Sequence, residues 1–410
     1  MAATRMKEPW HSDNYYVSFY NYLDEVRRDL RFPEKVGIHD VTLRDGEQQA
    51  GIVFRKDEKV KIARALDEVG VNRIEAGMPS VSPEDMSAVK EITHLGLQAK
   101  IFTFARCMKA DVDNALKVDA DGIVMEVPSS DHLIKYGYGW DEKKSTDLSV
   151  EATRYAHEHG LYVTFFTIDS TRADFETFWK LVGSVASQGH MDSLAVADTF
   201  GVMNPQAYAH FISRIRKVTD KPVEIHAHND FGLGVANTIA GLSAGAETAH
   251  VTVNGIGERT GNASLEELVA ALKMLYGVET DVKLEKLRSL SKLVEQLSGI
   301  RMPPQKPIVG DGIFTTESGI IAGWWNRLEE LSMPLEMLPF VPETVGHDPV
   351  KVILGKKSGR DSILYEAKKL KLSWDSTKVD AILLRVKEEA ISKKRALSRD
   401  EFSKMLQSQG

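Results

Sequence analysis

The sequence predicts an α/β fold: a (β/α)8 barrel, or TIM barrel, with a small helical appendage at its C-terminal end. Helical patterns such as residues 56–70 and 204–218 alternate with short apolar runs, and Gly70, Gly160 and Gly245 lie where helices should end. Eight such βα units over about 240 residues are what a closed parallel barrel needs, and an open doubly wound sheet is the alternative. The apolar runs are typical of buried parallel strands and cover residues 36–43, 73–78, 100–106, 122–128, 162–168, 193–199, 223–229 and 249–255.

The strand pattern begins at residue 36 and stops after residue 276, which predicts three segments. Residues 1–35 are aromatic and mixed in charge, as expected of an N-terminal arm that packs on another surface. Residues 36–276 are predicted to form the catalytic barrel. Residues 277–410 are predicted to form a helical linker and C-terminal subdomain, in which residues 283–299 have the pattern of an amphipathic helix and residues 302–307 form a proline-rich break.

The composition excludes several classes of protein. Of 410 residues, 42% are apolar and 27% are charged, which is typical of a globular chain with a large core. The formal charge is −7, from 52 basic and 59 acidic residues, so no overall positive field attracts nucleic acid. There is no run of about 18 apolar residues and no apolar segment behind basic residues at the N-terminus, so we expect neither a membrane span nor a secretory signal. The single cysteine, Cys107, cannot form an intramolecular disulfide, and we expect a cytoplasmic protein.

Chemically active side chains follow the predicted strands, where barrel enzymes place their catalytic groups. His226 and His228 are two residues apart on a strand, so both imidazoles face the barrel interior. With Asp45, at the end of the first strand, they form a mixed nitrogen and oxygen donor set, and Asn262 could add a fourth, oxygen ligand. Such a set suits Mg, Mn or Zn. The alternative is a pair of hydrogen-bonded core histidines, but two histidines together with an aspartate favour the metal site.

Two further side chains at strand ends could act on a substrate. Arg44, beside Asp45, would place a permanent cation next to the metal and stabilise a developing oxyanion. The alternative role for Arg44 is an ion pair with a barrel carboxylate such as Glu75. Thr199 could donate a hydrogen bond to a substrate carboxylate. Residues 255–262, GIGERTGN, are rich in glycine, but their spacing is not that of a phosphate-binding P-loop.

Several motifs together resemble the DRE-TIM metallolyases, and within them the 2-isopropylmalate and homocitrate synthases. The similarity extends over roughly residues 36–362, because LGKKSGRDS at 354–362 resembles a motif in the appendage of those synthases. In combination these motifs are far more specific than a lone glycine-rich loop. They are TLRDGEQ (42–48), RIEAGMPS (73–80), ADTFG (197–201), HAHNDFGLGVAN (226–237) and GERTGNASLEELV (257–269).

The resemblance implies a role for each candidate residue. The divalent metal would be held by Asp45, His226, His228 and Asn262. Arg44 would polarise the 2-oxo group of a 2-oxo acid, Thr199 would hold its carboxylate, and Glu75 would lie in the substrate pocket. The residues near the acyl-CoA would be Gly257, Glu258 and Gly261. The implied reaction is a Claisen condensation, in which the methyl carbanion of acetyl-CoA attacks the 2-oxo acid and thioester hydrolysis follows. The resemblance also implies a homodimer.

The chain departs from the synthase pattern where protons would be moved. The synthases usually carry V-x-F-S-x-E-D on the fifth strand, but here Thr164 and Ile168 occupy positions where glutamates are often found, while Asp169 is retained. Ile321 replaces a histidine that the synthases commonly carry in the appendage, and isoleucine cannot transfer protons. The general base is therefore open, with three candidates in the segment after the fourth strand, His132, Tyr136 and Tyr138.

These departures leave three hypotheses. The first is an acyl-CoA:2-oxo acid condensing enzyme with an unusual substrate pocket. The second is a carbon–carbon lyase of the same superfamily, like 3-hydroxy-3-methylglutaryl-CoA lyase or a 2-oxo acid aldolase, although the usual lyase cysteine is absent from residues 255–262. The third is a metal-binding barrel without catalysis, which the complete ligand set and Arg44 argue against. The identity of the 2-oxo acid and of the acyl group does not follow from the sequence.

Overall fold

The computed structural model describes residues 8–371 and 374–408 and divides the chain into two compact units. One unit is Tyr20–Met302. The other is Pro303–Gly410 together with Met1–Phe19. The residues predicted as a single N-terminal arm therefore divide between the two units. Tyr22 donates a hydrogen bond from its hydroxyl to the Met274 carbonyl within the first unit, while Tyr15 pairs with Phe340 within the second.

Eight parallel strands close into a barrel in the first unit, which confirms the predicted (β/α)8 fold and excludes the open sheet. Some strands end earlier than predicted because side chains begin a turn. After Asp40, for example, the backbone N–H and hydroxyl of Thr42 donate to the Asp40 carboxylate at 2.9 and 3.0 Å. The strands are β1 Gly37–Asp40, β2 Arg73–Glu75, β3 Lys100–Arg106, β4 Gly122–Pro128, β5 Tyr162–Ile168, β6 Ser193–Asp198, β7 Val223–Ala227 and β8 Thr248–Val251.

Helices alternate with these strands as the sequence pattern predicts. Gly70, Gly160 and Gly245 have φ values of 97°, 84° and 104°, so each lies at a helix end in a conformation that favours glycine. The predicted amphipathic helix over residues 283–299 is helix α10. The helices of this unit are α1 Asp24–Arg27, α2 Lys56–Val69, α3 Pro83–Thr93, α4 Lys109–Lys117, α5 Glu142–Glu158, α6 Phe175–Gln188, α7 Pro205–Ile215, α8 Gly234–Ser243, α9 Leu265–Ala271 and α10 Leu287–Ser298.

The inside of the barrel is filled by alternate residues of each strand, because successive side chains in a strand point to opposite faces. Between β3 and β6 this interior is apolar. It is formed by Phe102, Phe104, Val124, Phe166, Ala195 and Ala197, with Ile168 packed against them. These residues show which face of β3 to β6 points into the barrel. Residues two positions away on the same strand therefore also point inward.

The second unit confirms a C-terminal appendage that is mostly helical. A two-stranded parallel sheet pairs β9 Thr315–Thr316 with β10 Lys351–Val352. Its helices are α11 Gly319–Glu330, α12 Arg360–Leu370, α13 Val379–Lys393 and α14 Arg399–Gln407. In neither unit, over the described residues, is any helix long and apolar enough to cross a membrane.

Candidate metal centre and active site

The ends of β1 and β7 bring three predicted ligands together. The Nε2 atoms of His226 and His228 are 3.3 Å apart, and they lie 3.4 and 3.9 Å from Oδ2 of Asp45. All three side chains are buried. An ion bound at about 2.1 Å separates its ligand atoms by roughly 3.0–3.4 Å, so the observed spacing fits one shared divalent cation after small shifts.

The charge states of these ligands also fit a cation. Burial lowers the pKa of His226 to about 3 and lowers the pKa of His228, so both imidazoles are neutral at pH 7. Burial would raise the pKa of Asp45, but Arg44 and the two histidines hold it well below its usual range. The site therefore offers two imidazole lone pairs and one carboxylate, which is the form that binds metal.

Asn262, the predicted fourth ligand, lies beside this cluster in an orientation that needs one change. Its Nδ2 donates a 2.8 Å hydrogen bond to Asp45 Oδ1, so the amide nitrogen and not the oxygen faces the cluster. Its Oδ1 is buried and has no hydrogen-bond partner among the described residues. Rotation of the amide would present this oxygen as a ligand.

Arg44 forms the ion pair with Glu75 that the sequence offered as one alternative, and it keeps one donor free. It donates from Nη1 to Asp45 Oδ2 at 2.8 Å and to Gln48 Oε1 at 3.1 Å, and from Nε to Glu75. Its guanidinium carbon lies 3.9 Å from the centre of the Phe104 ring. Within the described part of the chain its Nη2 is buried without a partner. Arg44 is therefore both the partner of Glu75 and a cation with one donor available beside Asp45.

Glu75 is a fully ionised partner rather than a proton carrier. Burial alone would raise its pKa, but the Arg44 guanidinium, and then His39, outweigh burial and lower the pKa to about 2. The predicted position of Glu75 in the substrate pocket therefore corresponds to a carboxylate that holds Arg44 in place.

Thr199 lies at the rim of the barrel mouth, at the end of β6. Its Oγ1 accepts a 2.8 Å hydrogen bond from the backbone N–H of Asp169, so its hydroxyl hydrogen can still be donated to a ligand. The Asp169 carboxylate is buried and is held by Ser130, His132 and Arg172 at 2.6, 3.0 and 2.7 Å. One base candidate, His132, is thus anchored by the aspartate that the fifth strand retains.

The glycine-rich loop after β8 packs directly on the metal cluster. A Cβ atom at Gly257 would collide with Nδ2 of Asn262 and lie 3.0 Å from Asp45 Oδ1, and one at Gly261 would collide with the Gly255 carbonyl. These glycines allow close packing of the backbone. Glu258, in contrast, is exposed on the same loop.

Sequence reasoning missed a second buried cluster below the mouth. The rings of His39 and His250 stack with centroids 4.4 Å apart, and His250 Nε2 lies 2.7 Å from Glu224 Oε2. Glu224 also accepts a 2.7 Å hydrogen bond from Arg73. The available signal was strand parity: each of these residues is a polar side chain that shares the inward face of its strand.

Sequence reasoning also missed Glu126 on β4. It shares the inward face with Val124, two residues earlier. Burial raises the pKa of its carboxyl to about 7, although Arg44 and Arg106 favour the ionised form. The signal was again a single charged residue inside the apolar run GIVMEVP.

The two unusual positions on β5 have separate roles. The hydroxyl of Thr164 accepts a 3.0 Å hydrogen bond from Ser193 and lies 3.5 Å from Glu224, so it belongs to the buried polar network below the mouth. Ile168 packs against the apolar interior.

Tyr136 is 77% exposed, and Ile321 lies in α11 of the other unit.

Comparison with known proteins identifies the family. The model of the HMGL-like family matches residues 35–294. This chain belongs to the HMGL-like family. Homocitrate synthase AksA of Methanopyrus kandleri is 40% identical over 366 residues, which cover 89% of this chain and 90% of that protein. A probable 2-isopropylmalate synthase of Ignicoccus hospitalis is 44% identical, over 87% of this chain and 88% of that protein. The (R)-citramalate synthase CimA of Methanocaldococcus jannaschii is 41% identical, over 86% of this chain and 70% of that protein.

Solved structures share the fold of this HMGL-like protein. The crystal structure of Bacillus subtilis HMG-CoA lyase matches with a TM-score of 0.61 at 21% identity, over 67% of this chain and 97% of the lyase. The hydroxymethylglutaryl-CoA lyase of Pseudomonas aeruginosa matches with a TM-score of 0.60 at 20% identity, over 66% of this chain and 95% of that lyase. At this identity the likeness concerns the barrel alone. The relatives of higher identity confirm the resemblance to the synthases and the prediction of an enzyme of that type.

Proposed function

We propose that this chain catalyses a metal-dependent Claisen condensation between an acyl-CoA, acetyl-CoA in the first instance, and a 2-oxo acid. The observation that carries the proposal is the convergence of Asp45, His226 and His228 beside the free Nη2 donor of Arg44. Relatives named as homocitrate, 2-isopropylmalate and citramalate synthases, at about 40% identity, support it.

Asp45, His226 and His228 would hold the cation, with Asn262 as a fourth ligand. The other cluster, containing His39 and His250, suits a metal less well. Its rings are stacked, so their in-plane lone pairs run side by side instead of meeting at one point. Its carboxylate, moreover, is already neutralised by Arg73.

The residues of the mouth divide the work on the 2-oxo acid. When bound, a divalent cation supplies Lewis-acid polarisation of the substrate oxygens. Arg44 Nη2 donates to the 2-oxo oxygen, which becomes an alkoxide as the new carbon–carbon bond forms, and Thr199 donates to the substrate carboxylate. Glu75 keeps the guanidinium oriented, so little reorganisation is needed as charge develops.

The acyl-CoA would approach over the loop that contains Gly257, Glu258 and Gly261. Gly257 brings the backbone of this loop close to Asp45, and Gly261 allows the loop to pack on itself at Gly255. Such close approach suits a site where a thioester must reach the 2-oxo carbon. After condensation, hydrolysis of the thioester would make the reaction irreversible.

The test is thiol release from acetyl-CoA with Mg²⁺ or Mn²⁺ present, followed by mass spectrometry of the product. The panel contains 2-oxo acids with short, branched and dicarboxylic side chains: pyruvate, 2-oxoisovalerate and 2-oxoglutarate. We expect release that requires one of these acids and is abolished by EDTA. No release with any acid, together with cleavage of 3-hydroxy-3-methylglutaryl-CoA, would replace the proposal with the lyase alternative.

A further inference from the structure

Glu126 projects into the mouth of the barrel. Val124 and Glu126 are two residues apart on β4, so their side chains share one face. Val124 packs inside the barrel with Phe104 and Phe166, and Glu126 pairs in register with Phe166 and with Arg106. Glu126 therefore lies on the inward face of β4, one inward position nearer to the C-terminal mouth than Val124.

The carboxyl of Glu126 has no partner among the residues that the structure describes. Over the described residues it accepts no hydrogen bond and forms no ion pair, and the residue is half-buried. Asp45, Glu75 and Glu224 each have a cation or a hydrogen-bond donor within 3.5 Å. An inward carboxyl that no cation or hydrogen-bond donor of the described residues occupies is available to a ligand that enters the mouth.

Groups from several elements surround this carboxyl and affect its charge. Burial is the largest influence and raises the pKa to about 7, so both protonation states are populated near neutral pH. The charged and titratable side chains around it come from β2, β3, α4 and the segments after β1, β3 and β4. They are Arg44 and Arg106, which favour the ionised form, Glu75 and Asp111, which oppose it, and Tyr138 and Cys107, which adjoin it.

We propose that Glu126 is the general base that removes the α proton of the acyl-CoA, an assignment that rests on the proposed condensation. It faces the same mouth as Arg44, which polarises the 2-oxo acid, and it lies on the strand next to Ile168, where the synthase pattern has a glutamate. The carboxylate that the fifth strand lacks is thus supplied by the fourth.

The step balances without another reactant. The Glu126 carboxylate takes the proton from the α carbon of the thioester, and the C–H electron pair becomes the C=C bond of the enolate. The enolate carbon then bonds to the 2-oxo carbon, whose C=O π pair moves to oxygen and leaves an alkoxide beside Arg44. The protonated Glu126 returns the proton to this alkoxide and is ready for another cycle.

The other candidates fit this task less well. Burial raises the pKa of Tyr138 to about 12, so little phenolate is present to act as a base. His132 is held by the buried Asp169 at the rim, and its side chain is 46% exposed. Tyr136 is exposed to solvent.

The test uses Glu126→Gln, which keeps the size of the side chain but cannot accept the proton. We expect kcat to fall by about 10²–10³-fold while KM for the 2-oxo acid changes by less than about threefold. In the wild type, kcat/KM should fall as pH drops below about 7, and the variant should lose this limb. Glu126→Asp should recover part of the rate, and the exposed Glu158→Gln serves as the matched control. Circular dichroism checks that each variant is folded.

A second readout isolates the proton transfer. Acetyl-CoA is incubated with Mg²⁺ and oxamate, an unreactive analogue of pyruvate, in D₂O, and methyl exchange is followed by NMR. The wild type should exchange and Glu126→Gln should not. Exchange or turnover in Glu126→Gln equal to the wild type would overturn the role of Glu126 while leaving the condensation intact. Neither turnover nor exchange in the wild type would overturn the condensation, and the role of Glu126 with it.

Discussion

The two walls of the barrel mouth differ in how their charged side chains are paired. On the wall formed by the ends of β1, β2 and β7, Arg44 bonds both Glu75 and Asp45, and Asp45 also faces two histidines. On the wall formed by β4 and β5, Glu126 has no partner in the described part of the chain, and Ile168 is apolar. The first wall is built to hold charge in fixed positions, whereas the second leaves one proton-carrying group free for a substrate.

Removal of the carboxylate at the centre of the paired wall should have the largest effect. We expect Asp45→Ala to lose at least about 10³-fold in kcat/KM, because the ligand set loses its only anion and Arg44 is released. Turnover and bound Mn²⁺ measured by calorimetry check this prediction. The exposed Asp220→Ala is the control, and normal Mn²⁺ binding by Asp45→Ala would show that the cation lies elsewhere.

Replacement of the Arg44 guanidinium, which binds Glu75, Asp45 and Gln48 together, should have the next largest effect. Lysine keeps the charge but cannot reach Glu75, Asp45 and Gln48 together, so we expect Arg44→Lys to lower kcat/KM by about 10²–10³-fold. Steady-state kinetics against the exposed Arg64→Lys measure the loss. A rate within threefold of the wild type would mean that charge alone, without geometry, is sufficient.

A smaller effect should follow from crowding the loop beside the paired wall. A methyl group at Gly257 would collide with Asn262 and press on Asp45, so Gly257→Ala should weaken cation binding by about 10–100-fold. Gly51→Ala is the matched control, because Gly51 also has a positive φ of 95° but has open space around it. Equal cation affinity in the two variants would argue against close packing of this loop on the site.

The unpaired wall should reveal itself in the pH dependence of stability. The pKa of Glu126 is raised from about 4.5 to about 7 on folding, so the contribution of this group to the stability of the wild type is lost as pH rises through that window. Glu126→Gln has no titratable group at this position. The free energy of unfolding of the variant minus that of the wild type should therefore rise by about 2–3 kcal/mol between pH 4.5 and pH 8. Urea titrations at several pH values measure this difference. A difference that is independent of pH would mean that Glu126 is solvated or paired.

The parts of the fold that follow from local pattern were predictable from the sequence. Strand and helix alternation predicted the barrel, and residues at strand ends predicted the convergence of Asp45, His226 and His228. The sequence could not decide whether Arg44 pairs with Glu75 or stands free beside Asp45, because a guanidinium has enough donors for both. His39, His250 and Glu126 were missed. A polar residue within a strand can be assigned to the barrel interior only when the strand register shows which other side chains lie on its face.

The most direct test of this account is the position of a bound cation. Crystals soaked with Mn²⁺ would be measured at a wavelength where manganese scatters anomalously. We expect one strong peak within about 2.5 Å of ligand atoms of Asp45, His226 and His228, at the paired wall of the mouth. A peak between His39 and His250, or no peak in the barrel, would contradict it.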